Sequence, residues 1–418
     1  MTPKLRFPEF RKEGAWDRKK LSDLLVERKQ RNRDLKFGPN EVLSVSGEYG
    51  CVNQIELLGR SYAGVSVKDY HVVALGDLVY TKSPLKKNPF GIIKENKSKP
   101  GIVSTLYAVY RTTDVGHPAY LDHYFSGDYN LNSYLQPIVR KGAKNDMKVN
   151  NLAVLGGDIY AATANEQRKI ADCLTSLDEV IAAQGRKVEA LKTHKRGLMQ
   201  QLFPREGETR PHLRFPEFRD EPEWDELSLI EIAKFRRGSF PQPYGLPEWY
   251  DDENGEPFVQ VFDVDENFRL KPRTKNRISN RAAEQSVFIA KDTLLVTLQG
   301  SIGRVAITQY DAYVDRTLLL FESFLRPLEK VFFAYVIHNL FDIEKHKAPG
   351  EIIKTITKEV LSDFEVKLPS LPEQKRIADC LSSLDAQITA ESAKLDALQT
   401  HKKGLMQQLF PSPDEVAE

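Results

Sequence analysis

Two long segments of the chain carry apolar residues at alternating spacings of three and four. In the first segment these residues are Ile170, Leu174, Leu177, Ile181, Val188, Leu191, Leu198 and Leu202. The spacing is a heptad pattern and predicts a coiled-coil helix. Polar Gln184 and Lys195 occupy the remaining seam positions, where polar residues typically fix register or orientation. A helix of about 38 residues would be roughly 57 Å long, which suits a strut better than the interior of a domain.

The helical segment occurs twice. Residues 166–204 match residues 373–411 at 26 of 39 positions, with an offset of 207 residues. A leading segment, LRFPEFRKEGAW at 5–16, returns as LRFPEFRDEPEW at 213–224, with an offset of 208 residues. The chain is therefore a tandem repeat in which each half consists of a leading segment, an insert and a long helix.

The two inserts, 26–164 and 234–371, show no alignment beyond a shared rhythm of short strands. Runs such as HVVALGDLVYT and TLLLFES, separated by Gly, Pro, Asn and Asp, predict short strands, whereas KVFFAYVIHNLFDIEKH has helical spacing. The prediction is an α+β protein with two mixed α/β domains and two long helices. The predicted parts are domain one at 1–164, helix one at 165–204, a linker at 205–212, domain two at 213–371, helix two at 372–411 and a tail at 412–418.

Charge is balanced over the whole chain. Lys plus Arg number 60 and Asp plus Glu number 59, so any surface for nucleic acid must be local. Three cysteines lie far apart without a CxxC pair, which argues against a disulfide framework and fits a reducing cytoplasm. Neither a signal peptide nor an apolar run of transmembrane length is found, so we expect a cytoplasmic protein without a membrane partner.

Basic loops distinguish the inserts from this balanced average. Examples are TKSPLKKNPFGIIKENKSK in the first insert and RLKPRTKNRISNR in the second. Such loops can clamp phosphates, and Gln and Arg can also contact adenine and guanine edges. For any one of these side chains, structural capping or simple solvent exposure is the ordinary interpretation, so the prediction rests on the pattern of the loops. The candidate DNA-contacting residues are Lys82, Ser83, Lys86, Lys87, Asn88, Lys141, Lys144 and Asn145 in the first insert and Arg236, Arg237, Gln299, Ser301, Arg304, Lys345 and Lys347 in the second.

The repeated EQxxIxxxLxxLD and KxxLMQQLFP motifs, the LRFPEF segments and the paired inserts resemble the specificity subunit of type I restriction-modification systems. The segment TLQGSIGRVAI at 297–307 resembles a loop-and-strand element of that family's target-recognition domains, and TKSPLKKNPFGII is a looser relative. The resemblance implies two antiparallel helices related by a pseudo-twofold axis. Each domain would read half of an asymmetric double-stranded DNA site. Two methyltransferase subunits would methylate adenine, and restriction (motor-nuclease) subunits would join through them.

No catalytic motif accompanies this resemblance. Asn-Pro-Phe at 88–90 is similar to the NPPY tetrapeptide of amine methyltransferases but lacks one proline and a preceding glycine-rich turn. Neither a GxxxxGKS phosphate loop nor an HExxH metal motif occurs. We therefore expect a noncatalytic protein without cofactor or metal. The alternative is a coiled-coil adaptor that binds proteins, whose association, unlike DNA binding, would not weaken steeply with salt.

Overall fold

The computed structural model describes residues 1–85, 87–141, 147–347, 361 and 364–411, with the backbone alone at 140, 141, 147, 148 and 345–347. The chain forms two compact units. Unit 1 comprises Met1–Arg186 and Ser392–Glu418, and unit 2 comprises Lys187–Glu391. Both long helices therefore contribute residues to both units.

Short strands dominate unit 1. Its elements are β1 (Asp17–Lys20), α1 (Leu21–Leu24), β2 (Leu25–Glu27), β3 (Leu43–Ser46), β4 (Gly50–Asn53), α2 (Gln54–Leu58), β5 (His71–Val73), β6 (Leu78–Thr81), β7 (Ile93–Glu95), β8 (Gly101–Val103), β9 (Tyr107–Thr112), α3 (Pro118–Ser126), α4 (Asp128–Leu135), β10 (Arg140–Lys141), β11 (Met147–Lys148), α5 (Asn151–Gly156) and β12 (Asp158–Ala161). The long helix α6 (Ala164–Leu202) follows. Single 3-10 turns occur at Pro8–Phe10 and Pro39–Glu41.

The main sheet of unit 1 is antiparallel, with strand order β2-β9-β6-β7. Two further pairs, β3 with β4 and β5 with β8, are joined by a parallel bridge between Val42 and Ile102. The main sheet packs against α3 and α4 through a core that includes Tyr80, Tyr110 and Phe125. Strand β1 pairs with β12, so the chain leaves the domain beside the point where it entered.

Unit 2 has a similar succession of elements. They are β13 (Asp225–Ser228), α7 (Leu229–Ile232), β14 (Ala233–Arg237), β15 (Glu256–Val259), β16 (Asn276–Ile278), α8 (Asn280–Ala283), β17 (Val287–Ile289), β18 (Leu294–Thr297), β19 (Val305–Ile307), β20 (Ala312–Val314), β21 (Leu318–Phe324), α9 (Lys330–Lys347) and β22 (Glu365–Leu368). The second long helix, α10, spans Leu371–Leu409. Single 3-10 turns occur at Pro216–Phe218, Pro247–Trp249 and Val261–Asp263.

The two units share their strand order although the inserts show no sequence alignment. The sheet β14-β21-β18-β19 of unit 2 corresponds to β2-β9-β6-β7, and the pair β13-β22 corresponds to β1-β12. The sheet β16-β15-β20-β17, with β15 and β20 parallel, corresponds to the two bridged pairs of unit 1. The duplication therefore extends through the inserts at the level of the fold, which is mixed helix and sheet.

A buried ion pair attaches each leading segment to the start of a long helix. Arg6 Nε donates to Glu166 Oε1 over 2.7 Å, and Arg214 Nε donates to Glu373 Oε1 over 2.8 Å. In both pairs the second guanidinium nitrogen donates to the second carboxylate oxygen over 2.7 Å. These contacts explain why LRFPEF and EQ are repeated together, since the arginine of one needs the glutamate of the other.

The apolar seams of the long helices pack within each unit. In unit 1, Ile170 and Leu174 near the start of α6 share a core with Leu409 near the end of α10. In unit 2, Leu202 near the end of α6 shares a core with Ile377 and Leu381 near the start of α10. Among the described residues no helix is long and apolar enough to span a membrane. All three cysteines are free.

Candidate nucleic-acid interface

Three segments of unit 2 meet at one edge of the sheet β14-β21-β18-β19. We name this the unit 2 loop edge and define it as residues 237–239, 298–304 and 315–317. Gly238 N donates to Leu318 O over 3.1 Å, Leu298 N to Thr317 O over 2.9 Å and Thr297 N to Arg304 O over 2.9 Å. Because neighbouring strands are antiparallel, β14 and β18 end where β19 and β21 begin, which brings the segments together.

Thr297 closes the loop between β18 and β19. Arg304 N donates to Thr297 Oγ1 over 3.0 Å, and Thr297 Oγ1 in turn donates to Ser301 O. Gly303 has a φ of +78°, and a Cβ there would lie 2.5 Å from Phe341 Cβ. The loop needs glycine at this position because a side chain would meet both backbone strain and a core residue.

Five of the predicted residues lie at or directly before the unit 2 loop edge. Arg236 is half exposed and lies 3.7 Å from Glu322. Arg304 donates to Glu266 Oε1 over 3.1 Å and to Val264 O over 3.3 Å, so its guanidinium is held from two sides. Ser301 is exposed at the turn. The set is Arg236, Arg237, Gln299, Ser301 and Arg304.

The corresponding edge of unit 1 has the same construction. We define the unit 1 loop edge as residues 28–31, 82–92 and 104–106. Thr81 N donates to Ile92 O over 2.9 Å, and Ile92 N donates to Thr81 Oγ1 over 3.1 Å, as Thr297 and Arg304 do in unit 2. Gly91 has a φ of +90°, and a Cβ there would lie 2.0 Å from Thr81 O. The two loop-and-strand segments singled out in the sequence are therefore equivalent in the fold.

The predicted residues of the first loop differ in their surroundings. Ser83 and Lys87 are exposed, and Lys82 is half-buried, with a pKa lowered mainly by burial. Asn88 is buried; its Nδ2 donates to Asp128 Oδ1 over 2.9 Å, and its carbonyl accepts from Leu85 N and Gly91 N. The Asn-Pro-Phe segment therefore forms a turn, and the Asn88 amide is used inside the protein.

Other predicted positions have little or no structural description. Lys86, Lys144 and Asn145 lie outside the described residues. Lys141 lies in β10, and Lys345 and Lys347 lie in the last turn of α9, with the backbone alone described. Directly after the segment that contains Lys144, Asn151 Nδ2 donates over 2.6 Å to Glu27 Oε1, at the end of β2.

Arg31, at the unit 1 loop edge, and His71 of β5 lie near Lys82 and were not predicted from the sequence. Arg31 donates to Asp69 O over 2.7 Å. Burial, followed by the nearby charges of Arg31 and Lys82, lowers the pKa of His71 to about 4. Among the described residues no group bonds to the buried His71 Nδ1. The basic run ERKQRNR at 27–33 was a signal for Arg31, whereas His71 had none.

Arg316, at the unit 2 loop edge, was missed as well. It is exposed between β20 and β21, and its guanidinium lies 5.5 Å from the centre of the Tyr244 ring. Each edge thus combines arginine or lysine with neutral hydrogen-bonding side chains. Within the described part of the chain, no group of three or more His, Cys, Asp or Glu side chains is placed to hold a metal ion.

Comparison with known proteins gives a consistent family. Residues 222–400 match the family described as the type I restriction modification DNA specificity domain. The type I restriction enzyme MjaX specificity subunit of Methanocaldococcus jannaschii is 23% identical over 272 residues, which are 65% of this chain and 63% of the relative. The MjaVIII specificity subunit of the same organism is 24% identical over 51% of this chain and 47% of that protein. The chain thus spans between about half and under two-thirds of these relatives.

Solved structures share the fold. The S subunit of a type I restriction-modification system from M. genitalium superposes with a TM-score of 0.59 at 13% identity, covering 98% of this chain and 99% of that one. A chain from a study of assembly and conformational transition in the type I R-M system gives a TM-score of 0.55 at 19% identity, covering 94% of this chain and 96% of that one. Residues 222–400 thus match the type I restriction modification DNA specificity domain family, the predicted resemblance to type I specificity subunits is confirmed, and the solved structures show that the fold is shared.

Proposed function

We propose that this chain is the noncatalytic DNA-sequence-recognition subunit of a type I restriction-modification complex. Each of two domains, 1–164 and 213–371, reads one half of an asymmetric bipartite site in double-stranded DNA. Methyltransferase subunits modify adenine at that site, and restriction subunits join through them. The relatives are named as specificity subunits, which supports a role without catalysis in this chain.

One observation carries the proposal: the same sheet and loop edge occur twice with different side chains at equivalent positions. The residue whose backbone N–H donates to the threonine Oγ1 is Ile92 in unit 1, where the threonine is Thr81, and Arg304 in unit 2, where it is Thr297. A frame that stays constant while its exposed loops diverge suits a protein that presents two different surfaces to two different half-sites. Lysine and arginine at these edges suit phosphates, and Gln299 and arginine also suit base edges.

The contacting residues that we propose lie at or directly before the two edges and are exposed or partly exposed. They are Lys82, Ser83 and Lys87 in unit 1 and Arg236, Arg237, Gln299, Ser301 and Arg304 in unit 2. Asn88 holds the turn on which Lys87 and Ser83 are presented, because its amide is bonded to Asp128. Six further residues remain part of the proposal because of their charge or amide and their position in the sequence. They are Lys86, Lys141, Lys144, Asn145, Lys345 and Lys347.

The long helices are proposed to pack as an antiparallel coiled coil with pseudo-twofold symmetry. In unit 1, Lys402 Nζ of α10 donates to Asp178 Oδ1 of α6. In unit 2, Lys195 Nζ of α6 donates to Asp385 Oδ1 of α10 over 2.6 Å. Asp178 of α6 contacts Lys402 of α10, whereas Lys195, which comes later in α6, contacts Asp385, which comes earlier in α10. This reversed order supports the antiparallel direction.

Sequencing of methylated adenine in single DNA molecules tests the function. Cells that express the chain together with its methyltransferase subunit are compared with cells that express the methyltransferase subunit alone. A bipartite motif with a fixed gap that depends on this chain is the expected result. Absence of a new motif, together with complex formation that is insensitive to salt, would favour the adaptor instead.

A further inference from the structure

Arg316 occupies the turn that connects the two sheets of unit 2. Asp315 N, at the end of β20, donates to Val259 O over 3.0 Å, and Leu318 N, at the start of β21, donates to Asp315 O over 3.0 Å. Because Leu298 N bonds to Thr317 O, the turn lies directly beside Gln299. Arg316 is therefore fixed at the centre of the unit 2 loop edge by backbone contacts to both sheets.

A partly buried network of hydrogen bonds supports the side chain. Asp315 is 2% exposed, and its Oδ2 accepts a hydrogen bond from Tyr244 Oη over 2.6 Å. Gln260 Nε2 donates to the same Tyr244 oxygen over 2.7 Å. The ring of Tyr244 is held at its hydroxyl end and faces the guanidinium of Arg316 at 5.5 Å. An arginine held over a fixed ring loses less side-chain freedom on binding, because the ring contact already restricts its side chain.

The guanidinium of Arg316 also differs from those of its neighbours in its pairing. Arg304 is bonded to Glu266, and Arg236 lies near Glu322. Within the described ranges no carboxylate pairs with Arg316, and the side chain is exposed. The Tyr244 ring thus positions the guanidinium, and within the described ranges no acid neutralises its charge.

The equivalent turn of unit 1 has the same backbone but another side chain. Tyr107 N donates to Ser104 O over 3.0 Å, as Leu318 N does to Asp315 O. Leu106 N donates to Ser104 Oγ over 3.3 Å, as Thr317 N does to Asp315 Oδ1 over 2.9 Å. Thr105 therefore stands where unit 2 has Arg316. The scaffold keeps the turn and varies the residue that it presents.

We propose that Arg316 is a specificity-determining residue that donates two N–H groups to O6 and N7 of one guanine in the half-site read by unit 2. This inference rests on the proposed function. A bidentate arginine-to-guanine contact in the major groove is favoured when the guanidinium is already oriented, and the Tyr244 ring, held by Asp315 and Gln260, lies against the guanidinium of Arg316. Thr105 cannot make that contact, so the two half-sites are read differently at this position.

The test uses the complex of the full chain with its methyltransferase subunits. Equilibrium binding is measured to duplexes that carry each of the four bases at each position of both half-sites, at one fixed salt concentration. The proteins are wild type, R316A, R316K and R281A. Arg281 is the matched control, because it is also an exposed arginine on an aromatic ring, 5.1 Å from Trp249, but follows β16 at the opposite end of its sheet.

For R316A we expect the preference for guanine at one position of one half-site to fall about 5- to 150-fold, with every other position unchanged. R316K keeps the charge without the planar fork and loses most of the same preference, whereas R281A matches the wild type. Uniform weakening at all positions would assign Arg316 to a phosphate and overturn the inference, as would an unchanged profile. A wild-type complex without any sequence preference would instead overturn the proposed function, and this inference with it.

Discussion

Lys195 Nζ donates to Asp385 Oδ1 over 2.6 Å, and the residues 207 positions from each of them, Lys402 and Asp178, form the same pair in unit 1. In both units the lysine of one long helix thus pairs with the aspartate of the other. Each helix therefore supplies one aspartate from its first half and one lysine from its second half.

The two aspartates should nevertheless differ in their contribution to stability. Asp385 Oδ2 also accepts a hydrogen bond from Tyr335 Oη, and Tyr335 is 1% exposed. Substitution D385A removes the carboxylate that accepts from this hydroxyl, so we expect a loss of about 1–3 kcal/mol beyond the ion pair. Asp178 lies 3.9 Å from His123 Nδ1 instead, so we expect D178A to cost less stability than D385A. Urea unfolding of both variants measures the difference, and equal losses would contradict this account.

The buried ion pairs of the leading segments should matter more than any surface pair. Glu166 accepts from two nitrogens of Arg6 and, over 3.1 Å, from Trp16 Nε1, and the Arg6 and Glu166 side chains are 7% and 1% exposed. We expect E166A to lower the free energy of unfolding by about 3–5 kcal/mol, because the buried guanidinium of Arg6 would keep only the half-exposed Glu13 carboxylate, 3.8 Å away. E373A should have a similar effect in unit 2.

The control for these variants is E9A. Glu9 pairs with Lys169 over 3.1 Å, with both side chains about half exposed, and we expect no measurable change in urea unfolding. If E166A and E9A behaved alike, the leading segment would not be held by the buried pair.

Glycine substitutions should separate the loop edges from the long helices. G303A in unit 2 and G91A in unit 1 place a Cβ against Phe341 and Thr81 at positive φ, so each should destabilise its unit by at least about 1–3 kcal/mol. Gly197 in unit 2 and Gly404 in unit 1 lie within helices, with nothing within 4 Å of an added Cβ. G197A and G404A should therefore stabilise the protein by about 0.5–1 kcal/mol. Thermal unfolding checks the signs, and stabilisation by G303A would refute the loop geometry.

The sequence predicted what depends on local spacing and on repetition. The heptad seam predicted a helix that the structure has at Ala164–Leu202, and helical spacing predicted the helix at Lys330–Lys347. The strand order could not be predicted, because partners such as Leu25 and Thr112 lie far apart and nothing local selects one pairing over another. The common fold of the inserts was missed for the same reason, since it is kept by pairing pattern and not by identical residues.

The candidate interface was predicted in part. Lys82 was found because it belongs to a lysine-rich loop, and Gln299 was found because a glutamine amide can contact an adenine edge. Arg31 and Arg316 were missed because their nearness to those residues depends on remote strands that pair. Asn88 has the chemistry of a base-reading residue, but the turn around it uses its amide. Local sequence thus indicates which side chains are capable of contact, and only the fold selects among them.

Exchange of one insert tests the modular organisation. We expect replacement of residues 26–164 by the insert of a relative to change one half of the methylated motif and to leave the other half intact. The exchange keeps Arg6, Trp16 and Glu166, so the buried anchor of the unit is preserved. Exchange of residues 234–371 should change the opposite half, and methylation sequencing of both chimeras provides the comparison.

Several contacts cross the exchange boundary, and two of them set conditions on the donor insert. Its last strand must pair with β1, which it does through the backbone in the register Asp17 to Ala161. It must also offer aromatic rings to Phe410, which packs 5.4 Å from Tyr120 and 5.6 Å from Tyr124. A chimera that meets both conditions and folds, yet changes both halves of the motif, would show that the domains do not read their half-sites independently. A chimera that changes one half would assign unit 1 to that half directly.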